Sequence, residues 1–186
     1  MKVSLLYLTV LLAACMAAPQ AWAQSPSTTV AVEIVLLDPP SSCSFSVQSN
    51  LGFGTAVKPS SGTGTVTINA VNGARSASGV TTSGSSSVGQ VSLSGSNVSS
   101  YTVSSTFPGS LTISGGSLSY SGAWAQSGST SSGYSSISGG SYSGSASGSG
   151  TSFTRYFRFG GEVGGIGKSD AGGLYSGRIS TSATCN

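Results

Sequence analysis

The chain has 186 residues, of which 28 are Gly and 45 are Ser, while only 6% are charged and none is His. A formal charge of +3 does not provide the dense basic surface that nucleic-acid binding requires. The lack of His excludes His-based catalytic triads and His-ligated metal sites. Because 37% of the residues are hydrophobic and many alternate with polar ones, we expect a folded β domain rather than a disordered Ser/Gly-rich chain.

The N-terminus has the features of a secretory signal peptide. A basic residue is followed by an apolar stretch, Val3 to Ala14, which is too short to span a bilayer, and small residues precede a cleavage site. We predict a signal peptide over residues 1–23, cleaved between Ala23 and Gln24. The mature protein would then lie outside the cytoplasm without a transmembrane segment. The alternative is a lipobox that ends at Cys15, which would anchor the protein to a membrane through a lipid.

The remaining cysteines predict one disulfide. After cleavage the chain keeps Cys43 and Cys185, and an exported protein with two cysteines most simply joins them. The bond would tie the start of the domain to its penultimate residue. Because the enclosed loop is long, the chain-entropy model gives a stabilisation of about 4–5 kcal/mol. The alternatives are free thiols or a bond between two chains.

The first predicted element of the mature chain is a strand over Thr29 to Leu37. Its apolar residues alternate in period two, and the segment Asp38-Pro39-Pro40 ends it, because proline has no N–H to donate to a strand ladder. The strand therefore lies in an N-terminal extension, residues 24–42, ahead of a domain over residues 43–186. The four side chains on one face of this strand are Val30, Val32, Ile34 and Leu36.

Short strands separated by Gly, Ser, Asn and Pro follow through the domain, and no segment of the mature chain has helical periodicity. This spacing predicts an all-β, antiparallel sandwich. We expect a type I′ turn at Asn72-Gly73. We expect Ser127 to Ser152, which is nearly all Ser and Gly, to be an insertion that forms a long mobile loop or a poor edge hairpin. The predicted strands are Ser42 to Val47, Gly64 to Val71, Gly89 to Leu93, Tyr101 to Ser105, Ser110 to Ser114, Ser117 to Ala123, Phe153 to Phe159 and Gly173 to Thr184.

Two motifs that suggest catalysis or nucleotide binding have simpler explanations. The run Gly161 to Ser169 resembles a P-loop, but Glu162 stands where the motif needs Gly and no helix follows, so we expect the glycines to form turns. Glu162 and Asp170 are an isolated pair of carboxylates near a turn, and we expect both to be solvated rather than to act as a glycosidase pair. We therefore predict a protein that is not an enzyme, with no cofactor and no metal site.

The segment from Arg155 to Arg158 alternates charged and aromatic residues, as platforms for nucleic acids or sugars do. We expect instead a strand whose phenylalanines face the core while Tyr156 and Arg158 face outwards. Arg155 shares the parity of the phenylalanines, so we expect it at a bulge or near a sheet edge.

Several motifs occur in the order and spacing of a known family. They are Cys43, Leu51-Gly52-Phe53-Gly54-Thr55, Phe159-Gly160-Gly161 and the turn Ala171 to Gly177, followed by an alternating last strand from Arg178 to Cys185. Through them, most of residues 43–185 resembles a family of secreted bacterial β-sandwich proteins classed as a domain of unknown function. That family is similar to the spore-coat-U proteins and the archaic chaperone–usher pilins. The Ser/Gly-rich insertion is longer than the family pattern.

The resemblance implies an immunoglobulin-like, pilin-like sandwich that serves as a structural subunit of a surface fibre or fimbria, with a periplasmic chaperone and an outer-membrane usher as partners. The N-terminal strand would then insert Val30, Val32, Ile34 and Leu36 along a sheet edge of the next subunit, so that strand addition drives self-association. Alternatively, this strand folds back as the first strand of its own domain. A different function also stays open, namely a stand-alone secreted or lipid-anchored surface binding module, such as a sugar-binding one.

Overall fold

A computed structural model describes residues 42–146 and 152–186. The predicted signal peptide (residues 1–23), its cleavage site at Ala23 and Gln24, and the lipobox alternative at Cys15 lie outside the described residues. The predicted donor strand, with Val30, Val32, Ile34 and Leu36, lies outside them as well. The described residues form strands and loops without a helix, which confirms the predicted all-β class.

The described part of the chain contains thirteen strands, all paired antiparallel. They are β1 (Ser42–Ser49), β2 (Thr55–Val57), β3 (Thr63–Ile68), β4 (Arg75–Ser78), β5 (Thr81–Ser83), β6 (Gly89–Ser96), β7 (Ser100–Thr106), β8 (Ser110–Ile113), β9 (Gly116–Ser127), β10 (Ser135–Ile137), β11 (Ser141–Ser145), β12 (Ser152–Gly167) and β13 (Ser180–Cys185).

The long strand β12 organises the larger sheet. One of its edges pairs with β6 over Ser152 to Phe159 and then with β3 over Gly161 to Gly167, while its other edge pairs with β9. Further out, β1 pairs with β6 and β4 with β3, and β10 and β8 pair with opposite ends of β9. The larger sheet therefore has two halves that are joined by β12 and β9.

A smaller sheet, in the order β11-β7-β13, covers one of these halves and completes the predicted sandwich. Tyr101 and Val103 of β7 share one buried cluster with Leu93 of β6 and Phe157 of β12. Alternation explains this packing, because every second residue of each strand points to the same face. We call this the closed half: β1, β6, β10 and the first part of β12, with β7, β11 and β13 above them.

The other half, which we call the open half, contains β3, β4, β8 and the last part of β12. Its buried cluster is formed by Val66, Leu118, Tyr120, Val163 and Ile166. No strand of the smaller sheet contributes a residue to this cluster within the described residues. The side chains that pack onto it come mainly from loops and short strands, among them Leu51, Phe53, Leu111 and Tyr175.

The glycine-rich run from Gly161 to Gly167 is strand, so the expected turns are wrong. A bulge lies between Val163 and Ile166, where Gly165 has a φ of 72°. At Gly160, where β12 passes from β6 to β3, a Cβ would collide with the Ile68 backbone. Glycine is therefore needed here for close approach of two backbones rather than for chain reversal.

The expected type I′ turn at Asn72-Gly73 is also wrong. Such a turn needs positive φ at both central residues, and of these two only Gly73 has it, at 74°. The reversal is a longer loop in which the Asn69 side chain accepts hydrogen bonds from the backbone N–H groups of Val71 and Asn72, at 2.8 and 3.3 Å.

The described part of the Ser/Gly-rich segment is built into both sheets, in contrast to the expected mobile loop or hairpin. β10 pairs with β9 and β11 pairs with β7, so the segment crosses from the larger sheet to the smaller one. The indole N–H of Trp124 donates to the Gly139 carbonyl at 2.8 Å, and the Arg158 guanidinium lies 3.9 Å above the Tyr134 ring. These few large side chains supply the register that serines alone specify poorly.

Candidate functional site: an apolar cleft

A cleft of about 1080 Å³ opens in the sandwich, between the end of β1 and the start of β13. Its floor includes Leu118, Tyr120, Val163 and Ile166, the apolar cluster of the open half. Val47 of β1 and Ile179, just ahead of β13, line its sides. The volume is just above the ~300–1,000 Å³ that is usual for ligand sites, so the cleft is large enough for a chain segment.

The strands beside the cleft are both sheet edges. Among the described residues, β1 pairs only with β6 and β13 pairs only with β7. We call the space between these two edges the seam. An edge strand presents a row of unpaired backbone groups and is a template for another strand. The seam therefore offers main-chain hydrogen bonding next to an apolar cleft.

A disulfide joins the two sides of the seam at the end away from the cleft. Cys43 in β1 is bonded to Cys185 in β13, with Cα atoms 6.4 Å apart, which confirms the predicted pair. β1 runs from the disulfide towards the cleft, and β13 runs from the cleft back to the disulfide. The seam is thus closed covalently at one end and open at the other.

Val47 shows that cover is missing at the open end. It shares a strand face with Cys43 and Phe45, which pack against the core, yet it is 69% exposed. Period-two alternation puts Phe45 and Val47 on one face of β1, but only Phe45 packs against the core. An apolar side chain in a core-facing position gains stability only when something packs on it.

The turn that carries the family motif borders the cleft, and we call Asp170 to Ile179 the strap. Its first end is fixed because the Asp170 carboxylate accepts a hydrogen bond from the Gly167 N–H at 2.6 Å, and the Lys58 ammonium donates to the Asp170 carbonyl at 2.8 Å. Its second end is fixed because Ser176 and Thr112 exchange two backbone hydrogen bonds, at 2.8 and 3.0 Å. The predicted strand Gly173 to Thr184 begins inside the strap, but β13 starts only at Ser180, close to the Arg178 start that the family motif implies.

The floor of the cleft carries no charge at neutral pH. The Tyr120 hydroxyl donates to the Gly160 carbonyl at 2.7 Å, and burial raises the pKa of this tyrosine to about 12. Phe53 meets the same ring edge-on, with centroids 6.1 Å apart. The exposed cations Lys58 and Arg178 lie at the margin of the cleft. Apolar side chains suit this floor, whereas an ionised ligand would lose its hydration there.

The carboxylates considered for catalysis have separate structural partners. Glu162 is exposed on β12 and accepts a hydrogen bond from the Thr67 hydroxyl at 3.2 Å, whereas Asp170 holds the strap. In residues 42–146 and 152–186, no group of three or more His, Cys, Asp and Glu side chains is arranged to hold a metal ion.

The two arginines of β12 point to opposite faces. Arg155 faces the smaller sheet and donates to the Tyr101 hydroxyl at 3.2 Å; no bulge occurs there, but the pairing of β12 with β9 begins only at Tyr156. It therefore lies next to an edge, which was one of the two expected positions. Arg158 faces outwards and donates to the Gln90 side chain at 3.0 Å. Burial is the main cause that raises the pKa of the Tyr101 hydroxyl, the group to which Arg155 donates.

Sequence reasoning singled out Leu51 to Thr55 and Ala171 to Gly177 as family motifs, and both segments line the cleft, but it did not predict the cleft itself. A signal that points to it is a large apolar residue in an otherwise small and polar turn, namely Leu174, which is 86% exposed. Val47 carries the same signal only once the structure shows it 69% exposed among the described residues.

A family model described as a domain of unknown function (DUF4402) matches residues 44–184. No curated protein matches the chain, and no solved structure does. Within the described ranges there is also no helix with the length and apolar character to span a membrane.

Proposed function

The chain belongs to the DUF4402 family, and from its cleft we propose that it is a non-enzymatic structural subunit of a surface fibre or fimbria, assembled by strand addition. The observation that carries the proposal is the seam, where two strand edges without partners among the described residues flank an apolar cleft of about 1080 Å³. An added strand would gain main-chain hydrogen bonds from an edge and would bury alternate side chains in the cleft.

The donor in this proposal is the segment Thr29 to Leu37 of a second copy. Its alternating face carries Val30, Val32, Ile34 and Leu36, the chemistry that an apolar floor accepts. In extended form, the backbone from Val30 to Leu36 spans about 20 Å. The six residues of β13 span about the same length, so donor and seam agree in size.

A strand that folds back into its own seam is the alternative donor. Leu37 and Ser42 are separated by five residue steps, which reach at most about 18 Å. Such a strand would therefore end near the disulfide, antiparallel to β1 and parallel to β13. A strand from a second chain is not tied to that end of the seam, and the deletion described below separates the two donors.

The proposal includes an extracytoplasmic location, for which the disulfide and the signal-peptide pattern are the support. It also includes a periplasmic chaperone and an outer-membrane usher as partners. A subunit with an open apolar cleft is prone to aggregation. A chaperone that covers the seam before assembly would prevent that aggregation.

A stand-alone secreted or lipid-anchored binding module is the competing function, and the cleft would then take an apolar ligand. Strand addition is favoured because two sheet edges flank the cleft and can pair with an added strand, whereas a small apolar ligand would use only the apolar floor.

The proposal is tested on the full-length chain, exported with its own N-terminus, by size-exclusion chromatography with light scattering. Val32→Ser removes an apolar side chain from the donor face, and Val35→Ser makes the same change on the opposite face. We expect the parent and Val35→Ser to form multimers, and Val32→Ser to associate about tenfold more weakly. Equal association of the two variants would contradict strand addition in this register.

Deleting residues 24–38 separates the donor strand from a strand that completes its own domain. We expect the shortened protein to stay folded by circular dichroism and to remain monomeric, since its seam has no donor. If it unfolds while the full-length protein is a stable monomer in every condition, the strand belongs to its own domain and the fibre function is wrong.

A further inference from the structure

Two exposed apolar side chains border the same cleft. The exposed large apolar residues in the described part of the chain are Val47, Val57, Val71 and Leu174. Leu174, the most exposed at 86%, and Val47, at 69%, both line the cleft, one from the strap and one from β1. A single exposed leucine is ordinary, but two such residues on either wall of an apolar cleft indicate a surface that is covered in the functional state.

The strap holds Leu174 at the margin of the cleft. Its ends are held at Asp170 and Ser176, so it stays at the margin of the cleft. Between them, a Cβ at Gly172 would meet nothing within 4 Å, and Gly173 has a φ of 138°. Glycine permits this backbone conformation, and the Tyr175 hydroxyl donates to the Ala171 carbonyl at 2.9 Å, so the strap presents Leu174 at the cleft from a fixed backbone.

The charges at the margin of the cleft, like its apolar floor, favour the N-terminal strand Thr29 to Leu37 as the occupant. Lys58 and Arg178 are exposed beside the cleft, with Asp170 as the carboxylate among the residues that line it. The extension ahead of β1 carries Glu33 and Asp38 and no basic residue. An acidic, apolar strand is therefore complementary to this margin.

We propose that Leu174 packs against the strand Thr29 to Leu37 that a second copy of this chain donates to the cleft, and that it thereby slows release of that strand. This inference rests on the proposed strand addition and assigns a new contact residue to the same site. Burial of one leucine side chain by a partner slows dissociation by about tenfold.

The test compares Leu174→Ser with Val57→Ser in the full-length exported chain. Val57 is also exposed, at 56%, but does not line the cleft, so it is a matched control. Purified multimers are diluted, and the appearance of monomer is followed by light scattering. We expect monomer to appear about tenfold faster for Leu174→Ser than for the parent and for Val57→Ser, with unchanged thermal unfolding of all three monomers.

The outcomes separate this inference from the function on which it rests. If Leu174→Ser multimers dissociate like the parent while Val32→Ser weakens assembly, the role of Leu174 is wrong and strand addition stands. If Leu174→Ser and Val57→Ser accelerate dissociation equally, the effect is a general surface effect and the inference is wrong. If the parent forms no multimers, both fail.

Discussion

The closed and open halves of the sandwich share β12 and β9, but different structures cover their inner faces. In the closed half, the strands β11, β7 and β13 lie over the sheet, and Leu93, Val103 and Phe157 have no exposed surface. In the open half, loops and the strap lie over an apolar cluster and leave a cleft of about 1080 Å³. The two halves have similar apolar residues, so what lies over them decides which one is a closed core and which one keeps an open cleft.

Strand length is the physical reason for the difference. β12 has 16 residues, whereas β7 has 7 and β13 has 6. At about 3.3 Å per residue, the larger sheet extends roughly 50 Å along β12 and the smaller sheet only about 20 Å. The smaller sheet therefore cannot cover the inner face of both halves.

The largest expected effect comes from the bond that closes the seam. Replacing both cysteines, as in Cys43→Ser with Cys185→Ser, releases a loop of sequence separation 142. We expect the free energy of unfolding to fall by about 4–5 kcal/mol, because the unfolded chain regains the entropy of that loop. Urea unfolding followed by circular dichroism measures this change, and a loss below about 1 kcal/mol would show that the closed half does not depend on the bond.

A matched pair of leucines compares the two halves directly. Leu93 has 0% exposure in the closed half, and Leu118 has 8% exposure and lines the cleft in the open half. We expect Leu93→Ala to cost about 3–5 kcal/mol because it leaves an enclosed cavity, and Leu118→Ala to cost about 2 kcal/mol because it only widens an existing cleft.

Urea unfolding of the two variants beside the parent gives both values. Equal losses would mean that the cleft is filled in solution, for instance by the chain's own N-terminal strand. The measurement is then repeated on the protein without residues 24–38. If the cost of Leu118→Ala in unfolding free energy falls there, the N-terminal strand fills the cleft of the full-length protein.

Alternation along single strands predicted the sandwich class and most of its strands, since it reports which face of a strand is apolar. It underestimated β12, which was expected to end at Phe159 and continues to Gly167. The glycines from Gly160 onwards resembled turn residues, but a Cβ at Gly160 or Gly161 would collide with a neighbouring backbone, and Gly165 has a positive φ at the bulge.

The cleft could not be predicted in the same way, because it results from a mismatch between two sheets. No local pattern reports that β13 begins only at Ser180, or that the smaller sheet ends before it covers Val163. The cysteine pair was predictable, since it depends on residue number and compartment rather than on packing. The sequence therefore predicted where the seam is closed but not where it is open.

The smallest expected effect concerns the Ser/Gly-rich segment, which supplies β11 to the smaller sheet. β11 is reached through the Ser/Gly-rich crossing, and Arg158 fixes the start of that crossing. Its guanidinium lies 3.9 Å above the Tyr134 ring and donates to the Thr130 carbonyl at 3.1 Å. Arg158→Met keeps the aliphatic stem but removes these contacts. We expect it to cost about 1–2 kcal/mol, the size of a partly desolvated cation–π contact together with hydrogen bonds from a charged donor.

Arg178 provides the matched control, because it is an exposed arginine beside the cleft in the open half. Arg178→Met should change the unfolding free energy by less than about 0.5 kcal/mol. Hydrogen exchange then locates the effect of Arg158→Met. Faster exchange over residues 128–145 with unchanged exchange in β3 and β8 is expected if the crossing supports only the closed half. Equally faster exchange in both halves would show that the cover of the closed half stabilises the whole sandwich through β12 and β9, and that the two halves unfold as one unit.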